Sequence, residues 1–344
     1  MRLRNSWKLA AGVLAAAALL AGCSSAGTSG NSSSPKIGLD LPRTDTDFWV
    51  AYEKYVPTEA KSLGINLMTP TNSQNNISTL SSNVSTLVSQ GAKAVVIAPQ
   101  DTGAVVGTLN SLAAKNIPVV SIDTRPDSGK VYMVVRADNQ AYGTKSCQYL
   151  GQQLHGQGSV VDLEGDLSSI NGRDRTDSFN ACMKSQFPGI TVYGEPTNWV
   201  AATGAADLQT VLTQHPDIKG IYMQASVFLD STIQVLKSAN KLVPSGQAGH
   251  ITIISNDGVP QEYADIRSGE IDATISQPAD LYAKYGLFYA QAALAGKTFK
   301  PGPTDHGSKI VTWGNGNLED QLPAPLVTKQ NVDDKSLWGN QSSS

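Results

Sequence analysis

This chain of 344 residues carries none of the common catalytic signatures. No Gly-x-Ser-x-Gly elbow presents a serine, no Gly-x-x-x-x-Gly-Lys-Ser/Thr loop cradles a phosphate, and no His-Glu-x-x-His pair holds zinc. Its four histidines, His155, His215, His250 and His306, lack metal-ligand spacing and read as structural or exposed. No metal, no cofactor and no catalytic residue is therefore expected. Aromatic residues are scarce at 6%, whereas glycine and alanine are plentiful, which argues against an all-β sandwich and for helices packed closely on a parallel sheet. Nor is there an excess of base. Nucleic-acid binding relies on basic patches, and 26 Lys and Arg against 29 Asp and Glu make the chain a poor candidate for it. The apolar run from Leu9 to Leu20 is too short for a stable membrane span.

That run follows Arg2, Arg4 and Lys8 and ends at Leu20-Ala21-Gly22-Cys23, so residues 1–22 read as a signal peptide. A cysteine directly after Leu-Ala-Gly resembles the bacterial lipobox. The resemblance implies lipidation of Cys23 and anchoring at the outer face of the cell membrane or in the periplasm. Residues 23–35 are mostly Ser, Gly, Thr and Asn, cannot pack, and are expected to form a flexible tether. Without the leader, 23 basic residues stand against 29 acidic ones, an acidic exported domain with a net charge near −6.

From Pro35 onward, short apolar runs alternate with helical patterns, the mark of βαβ units. Strands are expected near Ile37, Ile65, Ala94 and Ile117, and in a second set near Val160, Ile190, Ile221, Ile251 and Ile271, with Val131 to Val135 as the link. Ile77, Leu80, Val84, Leu87 and Val88 share one 3.6-period face, whereas Pro57 is expected to kink or break the first helix. The fold class is α/β, two Rossmann-like doubly wound lobes. Gly307 to Trp338, rich in Gly, Pro and Asn and without a clear period, is expected to thread back across both.

Function is written at the strand ends. Ile251, Ile253 and Ile254 deliver Asn256-Asp257-Gly258 to the carboxyl end of a strand. After a helix from Pro260 to Gly269, Ile271 to Ile275 delivers Ser276-Gln277-Pro278 to the same edge. Open α/β sheets bind their ligands at that edge. Elsewhere the residues just past apolar runs are Asp45, Thr46, Asp47, Phe48 and Trp49; Gln100; Asp123 and Thr124; Asn171 and Arg175; Trp199; and Gln224. Acids, amides and guanidinium groups pair with vicinal hydroxyls while flat rings cover C–H faces, so the set suits a polyhydroxylated small molecule.

Taken in order, Ile37 to Leu67, Val95 to Asp101, Ile117 to Asp123, Asn171 to Arg175, Ser255 to Gly258 and Ala273 to Pro278 resemble the ribose-type sugar-binding proteins of bacterial ABC importers. The resemblance covers nearly the whole mature chain. It implies two lobes joined by three crossovers, with residues 36–137 and 278–322 in the N-terminal lobe and residues 138–277 and 323–344 in the C-terminal lobe and tail. It also implies a monomer that closes on a sugar or polyol in the interlobe cleft and delivers it to an ABC permease. Family ligand contacts match at Phe48, Trp49, Asp123, Arg175, Trp199, Asp257 and Gln277. Ala98 and Ala225 stand where ribose binders have asparagines, and Thr124 where they have an arginine, so a different pentose, a hexose or a sugar alcohol is expected.

Plainer roles compete for these residues. Asp257 could cap the helix at Pro260, Arg175 could pair with Asp174 or Asp177, Trp49 and Trp199 could be core, and Gln277 could be a hinge residue. As alternative functions, the protein could present its ligand to a receptor kinase, or hydrolyse a glycoside between Asp123 and Asp257. Cys147 shares a helical face with Gly143, Leu150 and Leu154, and Cys182 shares one with Phe179 and Met183. In an exported protein these two are expected to form a disulfide, with two buried thiols as the alternative.

Overall fold

The structure, a computed structural model, describes residues 34–314 and 316–341. The expected signal peptide, the lipidation site at Cys23 and most of the tether lie outside the described residues. No described helix is long and apolar enough to cross a membrane.

The chain opens with β1 (Lys36–Leu41), α1 (Asp47–Ser62), β2 (Asn66–Leu67), β3 (Thr71–Asn72), α2 (Ile77–Ser89), β4 (Ala92–Ile97), α3 (Val106–Ala114), β5 (Val119–Ile122) and β6 (Met133–Ala137). Their parallel sheet has the order β2-β1-β4-β5-β6, with β3 also beside β1. The chain then crosses to a second lobe built from α4 (Asn139–Gln153), β7 (Gln157–Glu164), α5 (Ile170–Gln186), β8 (Gly189–Pro196), α6 (Ala201–Gln214), β9 (Gly220–Met223), α7 (Leu229–Ser238), β10 (Thr252–Asp257), α8 (Pro260–Ser268) and β11 (Ala273–Ser276). Its sheet runs β8-β7-β9-β10-β11, again parallel.

After Ser276 the chain returns. α9 (Ala279–Leu294) packs on α1 and β4, and β12 (Gly302–Pro303), β13 (Lys309–Trp313) and β14 (Asn317–Leu322) extend the first sheet past β6. A third crossing after Leu322 adds β15 (Leu326–Thr328) antiparallel to β11, and α10 (Trp338–Gln341) follows. Both sheets carry helices on each face, which is why Val95-Val96-Ile97 and Ile253-Ile254 are continuous apolar runs and almost wholly buried.

Three expectations need correction. Helix α1 runs unbroken through Pro57. Pro57 lies on the exposed face, so the carbonyl left without a partner one turn earlier, that of the exposed Glu53, can be hydrated. Val131 to Val135 is largely strand β6, paired with β5 and β14, and the crossing begins at Asp138, whose Oδ1 caps α4 by accepting from Ala141 N at 3.0 Å. Gly307 to Trp338 does thread across both lobes, but as regular strands in each sheet.

A disulfide joins Cys147 of α4 to Cys182 of α5. These helices pack so closely that a Cβ on Gly143 would lie 2.2 Å from the Arg175 carbonyl, so only glycine lets α4 seat the turn bearing Arg175.

Candidate functional site

The carboxyl ends of the two sheets face one another across a small cavity of about 60 Å³ lined from both lobes. In the first lobe, Thr46 Oγ1 accepts from Trp49 N at 3.4 Å and starts α1, which places Phe48 and Trp49 at the wall. Their rings meet edge to face at 5.2 Å, and Phe48 packs likewise on Tyr282 and Trp338. Asp123 follows β5, and its N–H donates to Val135 O at 2.8 Å. Asn171, from α5 of the other lobe, donates through Nδ2 to Asp123 Oδ1 at 3.2 Å.

In the second lobe, Arg175 is clamped on three sides. Nε donates to Asn139 Oδ1 at 2.7 Å, Nη2 to Gln277 Oε1 at 3.0 Å, and Nη1 to the Gln224 carbonyl. The guanidinium lies over the rings of Tyr142 and Trp199, at 4.8 and 5.5 Å from their centroids. Of its five N–H donors two stay uncommitted to these partners. Asp257 Oδ2 accepts from Ser226 N at 2.9 Å and Ser226 Oγ at 2.7 Å. Asp257 is thus not the cap of α8; Glu262 Oε2 takes the amides of Gly258 and Val259 instead, at 2.6 and 3.0 Å.

Three wall residues hold backbone conformations that side chains rarely adopt: Asp123 at φ 61°, Trp199 at φ 58° and Asp257 at φ 113°. Each is over-determined by its surroundings, as strain at a binding site requires. Trp338 Nε1 and Gln277 N both donate to the Asp257 carbonyl, at 3.0 and 2.8 Å, and Thr197 Oγ1 accepts from Trp199 N at 3.2 Å.

Burial pushes the Asp123 carboxyl up to about 6, against the pull of Arg175 and Arg136. Burial also raises Asp257, opposed by Arg175 and Ser226. Each acid therefore sits in a dry place with one oxygen engaged by the protein, ready to accept from a hydroxyl group.

The cavity brings together Phe48, Trp49, Gln100, Asp123, Asn171, Arg175, Trp199, Asp257 and Gln277 of the residues expected from sequence. It does not include Asp45, Asp47, Thr124 or Gln224. Asp47 is exposed on the first turn of α1, and Thr124 is fully buried behind its loop. Gln224 turns inward, donating through Nε2 to Asp162 at 3.0 Å and Thr176 at 2.9 Å while Oε1 accepts from Gly165 N at 3.0 Å. Sequence reasoning missed Arg43, Ser226 and Val227. Arg43 bridges the lobes at the rim: Nε and Nη2 donate to both oxygens of Asp45, and Nη1 to the Trp199 carbonyl at 3.2 Å. Its one signal was a cation two residues past a strand end.

Two of the histidines serve structure, His250 between Val243 O and Asp272, His306 beside Asp320. Among the described residues no group of three or more His, Cys, Asp or Glu is placed to hold a metal ion.

Residues 37–298 match the family model described as "Periplasmic binding protein domain". The ribose import binding protein of Bacillus subtilis is 27% identical over 269 residues, 78% of this chain and 85% of that protein. A xylitol-binding protein of Mycolicibacterium smegmatis is 25% identical over 317 residues, 91% of this chain and 83% of that one. Among solved structures, an ABC transporter solute binding protein from Mycobacterium smegmatis with bound glycerol has a TM-score of 0.75 at 24% identity, covering 87% of this chain and 96% of that one. The Caulobacter myo-inositol binding protein bound to myo-inositol has a TM-score of 0.75 at 22% identity, covering 86% and 94%. These two likenesses show a shared fold.

Proposed function

The chain belongs to the periplasmic binding protein domain family, and from that premise we propose that it captures a neutral monosaccharide or sugar alcohol between its lobes and delivers it to an ABC permease. It does so as an exported monomer anchored by a lipid on Cys23, and it binds without turnover. One observation carries this: Asp123 from one lobe and Asp257 from the other line a single cavity, each with one carboxylate oxygen engaged by the protein, among Arg175 and the rings of Phe48, Trp49 and Trp199. Acceptors on both sides plus apolar faces fit a molecule with hydroxyls on its edges and C–H on its faces.

A ligand touching both lobes favours the closed form by its differential affinity. Of the three positions that depart from ribose binders, Ala225 lines the cavity, whereas Ala98 and Thr124 are buried away from it. A wall short of one amide favours a ligand other than ribose, and the relatives named for xylitol and bound to glycerol or myo-inositol point the same way.

A thermal-shift screen of pentoses, hexoses, linear polyols and cyclitols tests the proposal. The true ligand at a hundred times its dissociation constant adds about 2.7 kcal/mol of stability. No shift with any of the four classes would sink the proposal.

A further inference from the structure

Strand β6 carries a cation where a sheet interior needs none. Arg136 is 2% exposed, two residues before the first crossing at Asp138. Its Nη2 reaches the other lobe, donating to Asn171 Oδ1 at 2.8 Å and Asp174 Oδ2 at 2.9 Å. On its own lobe stands Glu319 of β14, also 2% exposed, with Oε2 3.9 Å from Arg136 Nη1 and 3.6 Å from Arg125 Nη1. Neither Arg136 Nε nor Glu319 Oε2 has a hydrogen-bond partner among the described residues. The guanidinium is therefore hydrogen-bonded across the cleft through Nη2 and only loosely engaged, through Nη1, with the acid beside it.

We propose that Arg136 is a positioning residue that exchanges partners as the lobes move. With the lobes together it holds Asn171 and Asp174; with the lobes apart it falls back on Glu319. Two consequences follow from the geometry. A buried unpaired charge is costly, and the exchange avoids one in either state. Because Asn171 Oδ1 accepts from Arg136, its amide is oriented with Nδ2 toward Asp123 Oδ1, so the crossing is coupled to an acid of the cavity wall. Burial works against the Arg136 charge, but Glu319 and then Asp174 more than offset it, so the guanidinium stays charged. The inference concerns lobe closure alone and stands whichever small molecule the cleft takes.

Glu319 and Asp174 then act with opposite sign. The experiment is a double-label distance measurement on the ligand-free chain from Ser33, with spin labels on Ser82→Cys of α2 and Ala202→Cys of α6, both exposed positions in opposite lobes. Asp174→Asn should shift the distribution toward longer distances, and Glu319→Gln toward shorter ones. In an Arg136→Met background both shifts should vanish, and Arg136→Lys should retain part of each. Equal directions for Glu319→Gln and Asp174→Asn, no shift in either, or shifts that persist without Arg136 would each overturn the proposal. Circular dichroism melts of every variant keep misfolding apart from changed closure. Since no sugar is present, failure here leaves the ligand screen to be judged by itself.

Discussion

Arg175 donates through Nη2 to Gln277 Oε1 at 3.0 Å, tying helix α5 to the end of β11 beside the Asp257 carboxylate. With Asn139 and the Gln224 carbonyl as further partners, the guanidinium cannot turn, so its remaining donors point from a fixed plane. Asp257→Ala should weaken binding by about 2–4 kcal/mol, the range for a charge-assisted contact whose partners are left unpaired. Arg175→Lys should also bind more weakly, because an ammonium cannot reproduce the fork. Arg175→Ala should lose stability as well, since the buried Asn139 Oδ1 would lose its donor, and Gln277 Oε1 and the Gln224 carbonyl would each keep only one, from Tyr142 and Asn256. Titration calorimetry with the sugar found by thermal shift checks both halves; an affinity within about threefold of the parent for both Asp257→Ala and Arg175→Lys would place the site elsewhere.

Binding should weaken as pH falls through about 6, where burial has put the Asp123 carboxyl. A free aspartate titrates near about 3.9, so between the two values the folded chain holds a proton the unfolded chain has released. Ligand-free stability therefore gains from Asp123 as pH falls across that window, while affinity for a hydroxyl donor drops because the anionic acceptor is lost. Burial raises Asp257 too and acts in the same direction. Calorimetry on either side of the window should show this, and Asp123→Asn should bind weakly with a flatter pH profile. A parent profile without slope would contradict it.

Much of the scaffold was legible because both faces of each sheet are buried. Runs such as Val95-Val96-Ile97 must be apolar throughout, and the polar residue after each run marks the ligand edge. Side-chain direction was not legible. Gln224 follows β9 as Asp123 follows β5, yet it turns into the lobe toward Asp162, while Ser226 two residues on reaches Asp257. Nothing in composition or spacing distinguishes those two outcomes. The left-handed backbones of Asp123, Trp199 and Asp257 were hidden for a related reason, since no glycine stands at those positions to announce them. The strands of Gly307 to Trp338 escaped notice because they are short and of mixed exposure, which blurs the two-residue period.

Gly165 sets the depth of the aromatic wall. A Cβ there would sit 2.0 Å from Trp199 Cη2, closer than any real contact. Gly165→Ala should therefore push the indole off its seat, at a cost of about 1–3 kcal/mol in stability for the overpacking. Binding should fall with it. The double variant Gly165→Ala, Trp199→Leu should recover stability but not affinity, which separates a misplaced ring from a damaged lobe. Urea midpoints and calorimetry on the three proteins decide; full affinity in Gly165→Ala would show that the ring takes no part in binding.

His250 should make the second lobe less stable as pH rises. Its Nδ1 lies 2.6 Å from the Val243 carbonyl, and its Nε2 lies 2.9 and 3.0 Å from the two oxygens of Asp272. A carbonyl accepts and a carboxylate oxygen accepts, so the site favours the imidazolium form, in which both ring nitrogens donate. The hydrogen bond to Asp272 raises its pKa, outweighing burial, which pulls the other way. Asp272 in turn accepts from Ile253 N at 2.7 Å and Ser245 Oγ at 2.9 Å, so the pair pins the loop before β10 to that strand. A histidine whose folded value lies above the unfolded value of about 6.5 contributes stability that is complete below 6.5 and lost as pH passes the folded value. Urea midpoints of the parent should therefore fall across that window, and those of His250→Gln should not. Ligand affinity should be the same in both proteins, because His250 precedes β10 whereas the cavity lies past its far end. A His250→Gln profile parallel to that of the parent would show that the imidazole is neutral in the folded chain.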